Sequence, residues 1–577
     1  MPIGVLSSNG LAVIAAMTAS CSSNEDLGTA GSGTGTNEAG VGYATFTINL
    51  PSTNGTRAGN PTYEQGTLDE YDVKDVTLLI FKKAGASEDE YTFVEKADLG
   101  NMAPWKKDDT ANGITASATI TAKLNKVDLT GTDYYALAIL NNTTATAGNK
   151  VNDPSTDQTY SDWNAAANAV AANFTDTSKG FYMANAPKFT SGEPTTLVKI
   201  DKVYATKQKA ETNAATTIHV ERGLAKVTVA ALPTGKTPTG TKYNSDKVDI
   251  TAWKLDVTNK STFPIHKTAG LKNTNFSTIW TSSTAPVPSV ARFVDGSNSV
   301  FKRVYWGVDP NYSDDLDETA CKGAFTILEP NAEINGTADK PQYCLENTFD
   351  IKHMMQGQTT RVVFKATYTP NGFTKGDTFY KIGNSADLWK KADLEAQIKA
   401  KAAEVLSVAE TEIIVDLDAN NLNEAGTRLL TVDNVKIKDS STTGSHAVSP
   451  DNINDINAKL GLKDATTTDP IVGIATYKSG ESYYIARIKH FGDAATPWKE
   501  GDPTYGDNDD TNNKKYLGRY GVLRNNWYEL KIGNVSGPGT PDIPTIKPTE
   551  PDDESYKYIS VSVKILSWAK WSHTYDL

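Results

Sequence analysis

The sequence predicts an all-β protein with small helical inserts, built as two tandem β-sandwich domains. Three observations carry this expectation. Short runs of β-branched and aromatic residues recur along the chain, as in Val76–Phe81, Ile114–Ile120, Tyr134–Leu140 and Ile218–Ala230. Thr, Asn, Gly, Asp and Pro separate these runs, which favours sandwiches over alternating strand–helix units. A chain of 577 residues is too long for a single core. Composition narrows the class further. With 57 Lys+Arg against 69 Asp+Glu the net charge is −12, which argues against nucleic acid and anionic lipid as main partners. Three cysteines and six dispersed histidines are too few for a zinc cluster or a disulfide framework.

The elements follow in order. Leu11–Ala19 is a short apolar run, far below the ~20 residues a membrane span needs, and suits a signal-peptide core. It leads into Thr18-Ala19-Ser20-Cys21, which resembles a lipobox with Cys21 as the acylated residue. Ser22–Asp26, ending in two acids, resembles a surface-export signal of Bacteroidales lipoproteins. Gly28–Gly40 reads as a flexible tether. Val41–Leu50 then alternates, with Ala44, Phe46, Ile48 and Leu50 on one face and Thr45, Thr47 and Asn49 on the other, the period of a strand. Ser52–Pro61 is turn-rich and cuttable, and its Arg57 is the first basic residue of the chain.

Beyond this loop, one helix is expected with Ser161 as its cap and Trp163, Ala167, Val170 and Phe174 on one face. Ala231–Lys247 is turn-rich and poor in apolar residues, and marks the expected domain boundary. Strands resume at Val248–Val257, Arg303–Trp306, Gln358–Tyr368 and Ser482–Ile488. A second helical insert near Ser385, with Leu388, Trp389, Ala392 and Leu394, is expected on the sandwich surface. Gly537–Glu554 holds five prolines and predicts an extended spacer. The last segment carries Ile559, Val561, Val563 and Ile565 in alternation with Ser560, Ser562 and Lys564. A strand this strong at the end of a chain is either the last strand of its own domain or an edge for another sheet.

Catalysis finds no support. HExxH, GxSxG and CxxC patterns are missing from the sequence. Gly235-Lys236-Thr237 ends like a phosphate loop, but Ala230 stands where the first glycine belongs and Pro233 and Pro238 flank it. Asp416–Asn420 and Asp507–Asp510 lack the glycine and distal glutamate of a calcium loop. Cys321 and Cys344 are either bridged or two buried thiols. No cofactor, metal or catalytic residue is expected.

Several long phrases resemble the Bacteroidales fimbrillins that build type V pili, and most closely the major shaft subunits of short (minor) fimbriae. They are His219–Val227, Trp253–Pro264, Arg303–Tyr312, Tyr343–Asp350, Gln358–Thr369, Tyr520–Ile532 and Ile559–Leu577. The resemblance implies transthyretin-like sandwiches, export as an outer-membrane lipoprotein acylated on Cys21, and cleavage by an arginine-specific protease between Arg57 and Ala58. It also implies that the Ala44, Phe46, Ile48, Leu50 strand is removed and that Ile559, Val561, Val563 and Ile565 of another copy replace it. Residues 1–20 are then a signal peptide and 21–57 a propeptide, followed by sandwiches at 58–240 and 241–536 and by the spacer and donor strand at 537–577. The expected protein is a non-enzymatic fimbrial shaft subunit at the cell surface that contributes to adhesion. Its expected partners are copies of itself, accessory fimbrial subunits, the protease and a surface receptor. A monomeric adhesin lipoprotein, or a tip or anchor pilin, is the alternative.

Overall fold

The computed structural model describes residues 41–51, 66–99, 106–109, 114–128, 132–144, 148–190, 193–268, 304, 306–311, 317–348, 353–439, 444–466, 470–491, 496, 518–552 and 559–567. Cys21, the tether, Arg57, Ala58 and the acidic loop at 507–510 lie outside them. The architecture is all-β with small helical inserts.

The first body is formed by β1 (Gly42–Pro51), β2 (Val76–Lys82), β3 (Thr92–Lys96), β4 (Lys106–Asp109), β5 (Ile114–Leu124), β6 (Tyr134–Leu140), β7 (Met183–Asn185) and β8 (Thr216–Arg222). Their pairing order is β3-β2-β6-β7-β8-β1-β5-β4. Within this order β8 changes partners midway. Thr216–His219 run parallel to β1, while Val220–Arg222 run antiparallel to β7. Side chains from both halves, including Phe46, Ile48, Leu79, Phe81, Ile120, Leu137 and Trp163, meet in one core.

The second body holds β9 (Ala225–Val229), β10 (Lys247–Asp256), β11 (Gln342–Cys344), β12 (Arg361–Thr369), β13 (Glu481–Arg487), β14 (Asn526–Val535) and β15 (Ile559–Ser567). One sheet has the order β11-β9-β14-β15 and the other β10-β12-β13. Trp253, Phe364, Tyr368, Tyr484, Tyr528 and Leu530 pack between them. The single run expected at Ile218–Ala230 is thus two strands in two bodies, broken at Gly223. A Cβ there would stand 2.8 Å from Tyr182 Cδ1, so only glycine allows the approach.

Two expectations are corrected. The first helix is three short turns, Tyr160–Trp163, Ala166–Asn168 and Ala171–Thr175. Its cap is Thr159, whose hydroxyl accepts from Asp162 N at 3.1 Å, and Val170 is exposed. Backbone bonds from Asn152 N to Asn168 O and from Val170 N to Lys150 O compete with a continuous helix and win. The second insert does not merely lie on a sandwich. Helices α1 (Lys391–Leu406) and α2 (Pro450–Lys459) pack with short strands such as Ile413–Val415, Gly426–Arg428 and Ile474–Tyr477 around a core of their own, with Leu394, Ile398, Leu417 and Ile456. Leu388–Trp389 belong to one of its strands. The strand expected at Arg303–Trp306 lies largely outside the described residues; within it Val304 N donates to Pro187 O at 3.1 Å.

Candidate functional site

The strand singled out by its alternation, β1, sits inside a sheet rather than at an edge. Against β5 it pairs antiparallel from Gly42↔Leu124 to Leu50↔Ala116, and against β8 it pairs parallel from Phe46↔Thr216 to Asn49↔His219. Ala44, Phe46, Ile48 and Leu50 are at most 1% exposed, so all four point into the core. The floor opposite them is three alanines and one isoleucine. Ala122, Ile120, Ala118 and Ala116 of β5 face Ala44, Phe46, Ile48 and Leu50 in turn. On the other face the Thr45 and Thr121 hydroxyls bond at 2.9 Å, and Thr47 and Thr119 at 3.3 Å. Outside the ladder Tyr43 and Tyr204 exchange two backbone bonds at 2.7 and 2.8 Å. His219, opposite Asn49, has its imidazole pushed down to about 4 by burial, with Lys188 adding to the effect. Without β1 this would be a groove lined by apolar side chains and two rows of backbone groups.

The second singled-out strand, β15, lies at the edge of its sheet. It pairs antiparallel with β14, Trp527↔Leu566 through Ile532↔Val561, within its own chain. The segment before it differs from a free spacer. It is extended, as its prolines require, but it is strapped along the second body. Tyr483 and Thr540 exchange backbone bonds at 2.8 and 2.9 Å. Tyr477 and Tyr484 donate their hydroxyls to the Gly539 and Gly537 carbonyls, and Arg361 donates to Pro544 O at 2.8 Å. At its end the buried Asp552 accepts from Arg487 Nε at 2.8 Å. Prolines keep this segment from pairing as a regular strand, and donors on β12, β13 and the Ile474–Tyr477 strand take up its carbonyls.

Between the two bodies lies a buried ionic cluster that no single stretch of sequence announces. Lys226 Nζ is 2.7 Å from Glu70 Oε1 and 3.7 Å from the centre of the Trp527 ring. Tyr343 donates to the same Glu70 oxygen at 2.6 Å, and Arg222 Nε donates to Glu70 O at 2.7 Å. Nearby, His266 Nδ1 lies 2.9 Å from Glu221 Oε1, and Arg524 Nε donates to Glu346 Oε1 at 3.3 Å. The sequence singled out neither Glu70 nor Lys226, since 156 positions separate partners that only the fold brings together. Asp309 is buried in the second body, accepting from Asn311 N and Thr348 N at 2.7 Å each. Burial pushes its carboxyl up to about 7 against those bonds.

Cys321 and Cys344 are two buried free thiols, pushed up by burial to about 11 and about 12. Among the described residues no group of His, Cys, Asp and Glu could hold a metal ion, and no helix is long and apolar enough to cross a membrane.

Residues 475–574 match the family model "Major fimbrial subunit protein type IV, Fimbrillin, C-terminal". The matched part contains β13, the strap and both partners of the β14–β15 pair. No curated protein matches the chain. Solved structures similar to it include a candidate cell adhesion protein from Parabacteroides distasonis ATCC 8503, 11% identical, covering 92% of this chain and 98% of that one at a TM-score of 0.36. Another, from Bacteroides eggerthii DSM 20697, is 14% identical with coverages of 91% and 96% and a TM-score of 0.31. A fimbrial assembly protein from Parabacteroides distasonis ATCC 8503 is 13% identical, covering 60% and 93% at a TM-score of 0.24.

Proposed function

We propose that this chain is a fimbrial shaft subunit, exported as a lipoprotein acylated on Cys21 and assembled at the cell surface by strand exchange. Cleavage after Arg57 frees β1, and the C-terminal strand of a second copy takes its place. The observation that carries this reading is the position of β1. A strand held on both sides by the ladder, with four fully buried side chains, is followed at once by a turn-rich stretch holding the first arginine of the chain. Burying four such side chains stabilises the body by several kcal/mol, at roughly 1.5–3 kcal/mol for each large one. The vacated groove therefore binds a replacement strongly. Insertion that passes from copy to copy without closing gives an open filament.

The match of residues 475–574 to a fimbrillin C-terminal family supports the assignment from the other end of the chain. The non-enzymatic character rests on the same match. Adhesion follows as a property of the filament, with accessory fimbrial subunits at its ends.

A second reading, a monomeric surface adhesin, is favoured by one observation: β15 completes a sheet of its own chain. Limited digestion with an arginine-specific protease separates the two. The shaft reading expects a new N-terminus at Ala58 and concentration-dependent filaments by negative-stain microscopy. A clean cut at Ala58 that leaves monomers under varied conditions defeats it. The Arg57→Ala chain is expected to stay a lipidated precursor, and undiminished assembly of that variant removes cleavage control from the account.

A further inference from the structure

Resting on the strand-exchange reading, we propose that the incoming strand lies in the same direction as β1 and in one register, with Ile559 at the place of Ala44 and Ile565 at the place of Leu50. Two independent features of the groove select this arrangement. The first is the polar face. Thr121 and Thr119 of β5 each hold a hydroxyl of β1, from Thr45 and Thr47, two residues apart. The C-terminal strand offers two hydroxyls at the same spacing, Ser560 and Ser562, and in this register they fall on Thr121 and Thr119. The Thr45–Thr121 pair is half-buried and a hydroxyl left unpaired there is costly, whereas the Thr47–Thr119 pair is exposed and adds to the match without excluding other registers.

The second feature is the apolar floor. Ala122, Ile120, Ala118 and Ala116 alternate with the outward residues of β5 and are all buried against β1. The proposed register sets Ile559 over Ala122, Val561 over Ile120, Val563 over Ala118 and Ile565 over Ala116. Isoleucine is larger than Ala44 and valine smaller than Phe46, and these are successive neighbours on one face, so the changes offset locally. A shift of two residues toward the C-terminus would place Ser567 in the buried position of Leu50 and Lys564 against Thr119. A shift of two the other way would bury Lys557 at the place of Ala44. A reversed strand would exchange the antiparallel ladder with β5, the longest that β1 makes, for a parallel one. One position remains imperfect: Lys564 falls where β1 has Asn49, which is 6% exposed.

Directly opposed residues of an antiparallel pair lie close enough for a disulfide. The test therefore uses full-length chains carrying paired cysteines, cleaved by the arginine-specific protease and run on non-reducing gels. The parent chain first reports whether filaments form, and their absence defeats the strand-exchange reading itself. Where they form, Ser560→Cys with Thr121→Cys, and Ser562→Cys with Thr119→Cys, are expected to give covalent ladders. A ladder from Ser562→Cys with Thr121→Cys instead, or filaments of the paired variants without any ladder, overturns the register. Lys564→Asn provides a measurement that needs no groove substitution. It restores the residue of β1, and the denaturant midpoint for filament disassembly is expected to rise. An unchanged or lowered midpoint counts against the register.

Discussion

The first and last of the described strands carry a similar alternation of apolar residues in sequence and have opposite surroundings. β1 has a partner on each side and all four of its apolar side chains in the core. Among the described residues β15 pairs with β14 alone. The difference decides what leaving costs. Withdrawing β1 opens the middle of a sheet and strips a core, whereas withdrawing β15 shortens a sheet from its edge. A segment that must be cut before it departs belongs in the first setting, and one that must change partners readily belongs in the second.

The largest expected effect tests this contrast directly. Deleting residues 42–51 removes three large buried side chains, Phe46, Ile48 and Leu50, worth roughly 5–9 kcal/mol together, which is comparable to the entire stability of a domain. Hydrogen exchange should show the β2, β5, β6 and β8 amides unprotected, or the chain should aggregate. Truncation after Glu554 removes β15 and should leave β9, β10, β12 and β13 protected in a folded monomer that no longer polymerises. Equal damage from both deletions would end the comparison, and filaments forming normally from the truncate would exclude β15 as the donor.

Next in size is the link between the two bodies. Lys226 and Glu70 are 4% and 1% exposed, and removing one partner of a buried ion pair costs about 3–5 kcal/mol. Lys226→Ala leaves Glu70 with Tyr343 and Arg222 but without the ammonium 2.7 Å from its carboxylate. Calorimetry of the parent chain should show the bodies melting together, and of the variant a lowered, broadened or split transition. An unshifted transition would mean that the cluster does not couple them.

Much of this was legible in the sequence, and the reason is local. The alternation of Ala44, Phe46, Ile48 and Leu50 marks a strand whatever lies beside it, and the same holds for β2, β6, β10 and β13. The residues of the groove floor were legible only in part. Ala116, Ala118 and Ala122 alternate with polar residues, but small side chains give a weak signal until a partner strand supplies the large ones. The break at Gly223 was hidden within a stretch that reads as one strand, because the contact that requires glycine there is with the distant Tyr182 ring. The strap misled for a related reason. Five prolines specify an extended backbone, but whether it is free depends on donors such as Arg361 and Tyr483, more than fifty residues away. The ionic cluster and the separate core around α1 and α2 are likewise products of long-range packing, which no window of sequence contains.

The smallest expected effect sharpens the comparison through pH, because the two bodies hold buried groups of opposite sign. His219, beside β1, has a folded-state value of about 4 against an ordinary 6.5. The unfolded chain therefore binds a proton first, so this group's stabilisation is present above pH 6.5 and is lost as pH falls toward 4. Asp309, in the second body, has a folded-state value of about 7 against an ordinary 3.8. Here the folded chain binds the proton first, so its stabilisation is present below pH 3.8 and is lost as pH rises through 7. Acidification from pH 7 to 4.5 should thus loosen the body that holds β1 while relieving the body that holds β15. Because the two slopes oppose, the whole-chain melting temperature should move little. The contrast appears when exchange is read strand by strand: β1 and β8 amides should lose protection in acid relative to β9 and β12. His219→Gln should flatten the first trend and leave the second, and Asp309→Asn should do the reverse. Parallel losses in both bodies would show that carboxylates elsewhere dominate and that the contrast between the bodies is one of architecture alone.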